Sequence, residues 1–190
     1  MPIPLSLIYG STRDGRLCDT VVHWTAAQAE RRGGFTVDAV DPAHADVEKA
    51  VAGKDDAARA ALRRRIEGAE AFVVVTPEYN HSFPAPLKAL IDATGAGWQA
   101  KPVAFVSYGG ISGGLRAVEH LRHVVAELHA VGMRDGVSFA NAWDRFDGDG
   151  RLVEPDAAEQ AAARMLGRLA WWADALSRAR AAHDYTEAAA

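Results

Sequence analysis

The chain has 190 residues, 49% of them apolar and 24% charged, with a formal charge of −4. That describes one globular domain large enough to bury its own core, and the interspersed arginines and carboxylates exclude a basic nucleic-acid footprint. A lone cysteine, Cys18, excludes an internal disulfide framework and favours a reducing, cytoplasmic setting. The opening Met1-Pro2-Ile3-Pro4 lacks a basic secretory n-region. Apolar runs such as 71–75 are far short of the ~20 residues that cross a bilayer, so no membrane role is expected.

In chain order, a strand over 5–9 runs into Gly10-Ser11-Thr12-Arg13-Asp14-Gly15-Arg16. Helical periodicity follows over 18–32, with Val21, Val22, Trp24, Thr25, Gln28 and Ala29 on one face. The turn therefore sits at a helix start, where unpaired N–H groups and the dipole favour an anion. Ser11, Arg13 and backbone N–H groups suit a phosphomonoester, and Arg16 either adds to them or faces water. A strand over 35–40 and a helix over 55–67 come next. Arg63-Arg64-Arg65 reads as a solvated face beside Asp55, Asp56 and Glu67.

The third strand, 71–76, ends on Pro77-Glu78-Tyr79-Asn80, with His81 and Ser82 beyond. Pro77 stiffens the exit, and the polar and aromatic groups suit a flat heterocycle. A helix over 85–94 leads to a strand over 103–107. Tyr108-Gly109-Gly110 and Ser112-Gly113-Gly114 follow, where missing side chains either let backbone approach a planar ligand or simply make turns. These glycines lack the Gly-x-Gly-x-x-Gly spacing of a dinucleotide fingerprint. A helix over 114–131, a strand over 136–140 and a helix over 156–182 complete the pattern. Asp147-Gly148-Asp149-Gly150 reads as a turn, because Glu154 falls four residues after Gly150 where a calcium loop needs its glutamate at about six. In the last helix Ala158, Ala162, Met165, Leu169, Trp172 and Leu176 form the packing stripe, with Trp171 at its rim or in an oligomer contact. Residues 183–190 lose that periodicity and are expected to form a flexible tail after a single domain over 1–182.

Strands alternating with helices predict a parallel sheet covered on both faces. In such a sheet ligands bind beyond the carboxyl ends of the strands, where the loops after strands one, three and four converge. Gly10 through Arg16, Pro77-Glu78-Tyr79-Asn80, Leu87-Lys88-Ala89-Leu90-Ile91-Asp92, and Lys101-Pro102-Val103 through Ser107-Tyr108-Gly109-Gly110, in this order, resemble the NADPH-dependent FMN reductase family of flavodoxin-like proteins. Quinone reductases and azoreductases are among its members, and the resemblance covers nearly the whole chain.

The resemblance implies an α/β flavodoxin-like, doubly wound five-stranded parallel sheet of order 2-1-3-4-5. It implies FMN as cofactor and NADPH or NADH as co-substrate. Ser11 and Arg13 would bind the FMN phosphate with the Leu17 and Cys18 backbone, and Arg16 beside them. Pro77, Glu78, Tyr79 and Asn80 would line the ribityl chain and isoalloxazine, and Ser107, Tyr108, Gly109 and Gly110 the ring's other edge. The flavin would carry the chemistry without a catalytic side chain, passing hydride from NAD(P)H to a quinone, azo compound or free flavin by a ping-pong route. Relatives pair through helices near 84–94 and 114–131, implying a homodimer or homotetramer, and the aromatics Trp98 and Tyr108 nearby agree with that. A non-enzymatic FMN-binding electron carrier or redox sensor is the alternative. In many relatives a serine or asparagine stands where Cys18 or Asp19 falls, and Asp19 in direct contact would repel a phosphate.

Plainer roles compete at several positions. Ser11 and Thr12 could cap the helix, and Arg13 could be a surface cation. Cys18 makes a poor nucleophile, since a phosphatase loop wants an arginine six residues later and Trp24 stands there. Glu78 is better suited to accept hydrogen bonds than to act as a base, and Lys88 to an interhelix or intersubunit ion pair than to catalysis. His120 and His123, near Glu119 and Glu127, have ligand spacing but no catalytic metal motif, and read as surface or interface histidines.

Overall fold

The computed structural model describes residues 1–187. Strand β1 (Ile3–Tyr9) lies between β2 (Phe35–Val40) and β3 (Ala71–Pro77), and β4 (Pro102–Tyr108) and β5 (Val131–Phe139) follow. All neighbours are parallel, giving the order β2-β1-β3-β4-β5. Every residue of β3 and β4 is buried, as expected of central strands covered on both faces, whereas the edge strands β2 and β5 mix buried with exposed positions.

Pleating sends alternate side chains to opposite faces. Ala71, Val73 and Val75 of β3 pack with α1 (Cys18–Arg32), while Phe72 and Val74 face the other way. That second core is built on α2 (Ala45–Val51), α3 (Asp56–Gly68), α4 (Ala85–Thr94) and α5 (Leu115–Glu127). The long helix α6 (Asp156–Ala182) joins α1 on the first face through Ala162, Met165, Leu166, Leu169 and Ala173, while Trp171 and Trp172 are exposed.

Most elements coincide with the pattern in the sequence, and the departures have local causes. Helix α2 has seven residues, too few to show periodicity, and begins where the His44 imidazole accepts the Asp46 N–H. Helix α5 stops at Glu127 rather than residue 131, because His129 takes φ 57° and the Ala130 N–H reaches back to the Val125 carbonyl. Strand β5 begins at Val131 rather than 136, and its register against β4 shifts between Val103 and Phe105. Polar Arg134 and Asp135 fall at that irregularity, where Asp135 pairs with Arg168 of α6 at 2.6 Å, and they break the apolar alternation. Trp98 does not support an oligomer: it is fully buried, stacked on Phe72 at 4.2 Å. Beyond α6 the Tyr185 hydroxyl lies 3.0 Å from His129 Nδ1, and residues 188–190 of the expected tail lie outside the described residues.

The amino ends of the strands hold a buried cation. Lys101, 7% exposed, donates to the carbonyls of Glu67 (2.7 Å), Gly97 (2.8 Å) and Ile66 (3.2 Å), closing the end of α3 and the 3-10 turn Gly95–Trp98. Burial drags its pKa down to about 8, which still leaves it charged at neutral pH. Lys101→Met keeps the stem but strands three carbonyls. Urea unfolding should show a loss of about 3 kcal/mol, or roughly 6–12 °C in Tm for a domain of this size. A loss under about 1 kcal/mol would mean that water reaches those carbonyls.

Candidate active site

The sheet changes winding direction between β1 and β3, so their exit loops diverge and leave a crevice. Gly10 makes the first loop possible. Its N–H bonds the Val75 carbonyl at 2.8 Å, and a Cβ there would stand 2.5 Å from that same oxygen. The next residue, Ser11, is fully buried, and its Oγ lies 2.9 Å from the Tyr79 hydroxyl of the β3 loop and 3.4 Å from the Arg13 N–H. The Arg13 guanidinium lies over the Tyr79 ring, 3.6 Å from its centroid. Ser11, Arg13 and Tyr79 thus form one contact cluster across the crevice.

Helix α1 starts beside them without a capping side chain at Leu17. Among the described residues the N–H groups of Leu17, Cys18 and Thr20 meet no acceptor, so this end presents donors and the positive pole of the dipole. The Cys18 thiol points inward, 3.9 Å from the Val75 carbonyl, and burial raises its pKa, which keeps it a thiol rather than a nucleophile.

Arg16 neither faces water nor offers its charge to the crevice. Its side chain is 10% exposed, and Nε bonds Asp19 Oδ1 at 2.8 Å. Nη1 reaches Asp41 Oδ1 at 2.9 Å and the Ser11 carbonyl, while Nη2 bonds the second oxygen of Asp41. Those hydrogen bonds, Asp41 first, hold the guanidinium in its charged form despite burial. The network moulds the loop, and it also answers the problem posed by Asp19, whose carboxylate is paired with a cation instead of confronting a phosphate.

In the β3 loop Tyr79 and Ser82 exchange backbone hydrogen bonds of 2.8 and 3.1 Å around Asn80 (φ 49°) and His81 (φ 76°). Two successive positive φ values make this a type I′-like turn, which asparagine tolerates well. Glu78 turns away from the crevice. Oε2 accepts from Ser112 Oγ (2.8 Å) and the Arg116 N–H (3.1 Å), and Oε1 from the Arg116 guanidinium (2.9 Å). It thereby caps α5, whose own cap residue, Gly114, has no side chain.

Gly114 is a turn glycine. With φ 83°, a Cβ would lie 2.8 Å from Ser107 Cβ and the Tyr108 nitrogen. Ser107 and Tyr108 are both buried, Ser107 Oγ bonding the Gly113 carbonyl and Tyr108 lying in the α1-side core, so their side chains are turned inward. Gly110 is open by comparison, with only the exposed Trp143 nearby at 3.7 Å. His120 bonds Ser82, Lys88 pairs with Asp92 within α4 rather than between helices, and no metal-binding cluster occurs among the described residues.

The structure therefore gathers Ser11, Arg13, Tyr79 and the start of α1, and gives Arg16 and Glu78 architectural work. Sequence reasoning missed Asp41, Ser112 and Arg116. Asp41 was the findable one, since it follows β2 directly and β2 lies beside β1. The donor set fits FMN: a serine hydroxyl, an uncommitted guanidinium and free N–H groups for a phosphate, and a half-exposed tyrosine and open glycine for a ring.

Burial raises the Glu78 pKa, but the Ser112 and Arg116 contacts outweigh it and hold the carboxyl below its ordinary 4.5. A lowered folded value stabilises the protein above the unfolded pKa, and the gain is lost as pH falls through the folded one. Glu78→Gln should cost about 1–2 kcal/mol at pH 7, the worth of a charged cap and its hydrogen bonds. Urea midpoints of the two proteins should converge as pH drops below 4.5. A gap that does not change with pH would deny the carboxylate this role.

Residues 4–144 match the family model described as NADPH-dependent FMN reductase. An NAD(P)H-dependent FMN reductase of Schizosaccharomyces pombe is 36% identical over 131 residues, 64% of this chain and 65% of that protein. A probable NADPH:quinone oxidoreductase of rice, Oryza sativa subsp. japonica, is 32% identical over 170 residues, 83% and 86% of the two chains. Among solved structures, the flavoenzyme NAD(P)H:acceptor oxidoreductase FerB of Paracoccus denitrificans superposes with a TM-score of 0.67 at 21% identity, covering 93% of this chain and 98% of that one. An archaeal flavodoxin superposes at 0.61 with 15% identity, over 90% and 99%. The sheet order, the donor-rich crevice at the winding reversal and a match over most of the chain agree: this protein belongs to the NADPH-dependent FMN reductase family.

Proposed function

We propose that the protein is an FMN-dependent NAD(P)H oxidoreductase that delivers electrons to a small-molecule acceptor, a quinone, azo compound or free flavin, by a ping-pong mechanism. The observation that carries this reading is the cluster of Ser11, Arg13 and the uncapped start of α1 facing Tyr79 across the β1–β3 crevice. In that reading Ser11, Arg13 and the N–H groups at Leu17 and Cys18 bind the phosphate. Pro77, Tyr79 and Asn80 line one side of the ribityl chain and ring, and backbone at Ser107, Tyr108, Gly109 and Gly110 lines the other. Bound FMN supplies the redox chemistry, taking hydride from NAD(P)H and passing the electrons on. The chain's task is to hold it, exclude water and leave one ring face open. The lone cysteine agrees with work in a reducing cytoplasm, and no helix among the described residues is long and apolar enough to cross a membrane. A homodimer or homotetramer that completes the flavin site belongs to the same proposal.

FMN should bind more tightly than riboflavin, and Arg13→Ala should weaken FMN by about 1.5–3 kcal/mol, the worth of a charge-assisted hydrogen bond. That is roughly a tenfold to over a hundredfold change in Kd by fluorescence titration. Unchanged affinity in a folded variant would return Arg13 to a surface cation. Because one ring face serves donor and acceptor in turn, double-reciprocal rate plots at several fixed quinone concentrations should be parallel. Intersecting lines would demand a ternary complex, and no turnover with either nicotinamide would leave a carrier or sensor.

A further inference from the structure

The Ser11 hydroxyl is fully buried and has two hydrogen-bond partners among the described residues, the Tyr79 hydroxyl at 2.9 Å and the Arg13 N–H at 3.4 Å. A serine oxygen has one proton to give and two lone pairs to fill. The Arg13 N–H can only donate. The Tyr79 hydroxyl can do either, and the direction of that bond decides what Ser11 can recognise. If Ser11 donates to Tyr79, its single proton is spent inside the protein. If Tyr79 donates to Ser11, both serine lone pairs are used and the proton is left over on the loop that leads into the uncapped start of α1, where it needs an acceptor. A phenol is a stronger hydrogen-bond donor than an aliphatic alcohol, and the Arg13 cation 3.6 Å above the ring draws electron density from it and strengthens the donor further.

We infer that Tyr79 is a positioning residue for phosphate recognition: its hydroxyl donates to Ser11 Oγ and so commits the serine proton to the flavin phosphate, while its ring carries the Arg13 guanidinium beside the same anion. This rests on the FMN reading above. It gives Tyr79, on the loop assigned to the ribityl chain and ring, an effect confined to the other end of the cofactor. A tyrosine that merely lined the ring would serve FMN and riboflavin alike.

The experiment is a fluorescence titration of FMN and riboflavin against the wild-type protein, Tyr79→Phe, Ser11→Ala and the double variant, with folding checked by circular dichroism. Phenylalanine keeps the ring and the platform under Arg13 and removes only the hydroxyl. Tyr79→Phe should weaken FMN about three- to tenfold, as expected for one neutral hydrogen bond, and leave riboflavin unchanged. The double variant should bind FMN no more weakly than Ser11→Ala alone, because the tyrosine acts only through the serine. Equal losses for both flavins, no loss for either, or additive losses in the double variant would overturn the inference while the FMN reading stands. A wild-type protein that binds riboflavin as tightly as FMN would instead remove the phosphate cradle itself and the inference with it.

Discussion

A buried arginine holds the first loop in shape. Taking a guanidinium out of water costs several kcal/mol unless charges and hydrogen bonds compensate it, and Arg16 is compensated by a two-pronged contact with Asp41, a bond to Asp19 and the Ser11 carbonyl. Each partner comes from a different place: the end of β2, the first turn of α1 and the loop itself. One side chain therefore clamps the three elements that border the crevice. It also settles the local charge balance, because two carboxylates beside an anion site are tolerable only once they are paired. Arg13, whose side chain makes no ion pair among the described residues, remains the loop's available cation.

The two ends of the sheet do different work. At the amino ends, Lys101 is saturated by backbone carbonyls, and Arg180 of α6 bonds both Glu70 and the Ala100 carbonyl. Those contacts close helix ends and pin α6 against the sheet. At the carboxyl ends the polar groups are less complete: an uncapped helix start, a serine hydroxyl bonded to Tyr79 and an arginine resting on a tyrosine face. Donors left unsatisfied there are tolerable because the rest of the structure supplies the stability, and they give an anionic ligand something to bind.

The solved structures that share this fold include both NAD(P)H oxidoreductases and flavodoxins. Sheet order alone therefore cannot separate an enzyme from a carrier. What distinguishes one such protein from another lies in the exit loops. Here, Glu78 joins two of them by reaching from the β3 loop to cap α5, which ties the loop that carries Tyr79 to the start of α5.

The sequence by itself determined the β–α alternation, three helices to the residue, and that Ser11, Arg13 and Tyr79 lie on loops leaving strands, because periodicity and turn chemistry are local properties written in consecutive residues. It did not reveal α2, which is too short to be periodic, or the first half of β5, where an irregular edge interrupts the alternation. Nor did it show what Arg16 and Glu78 hold: the resemblance places both among the cofactor-binding residues, and the structure engages them with Asp41 and with Ser112 and Arg116. Asp41 lies 25 residues from Arg16, and Ser112 and Arg116 lie 34–38 residues from Glu78, so these groups meet only when β2 is laid beside β1 and β3 beside β4. Trp98 is the same case in the core: the composition shows an aromatic, and only the stacking of α4 and its 3-10 turn over Phe72 decides that it is interior. Local chemistry fixes which groups are available, and long-range pairing decides which of them are already spent.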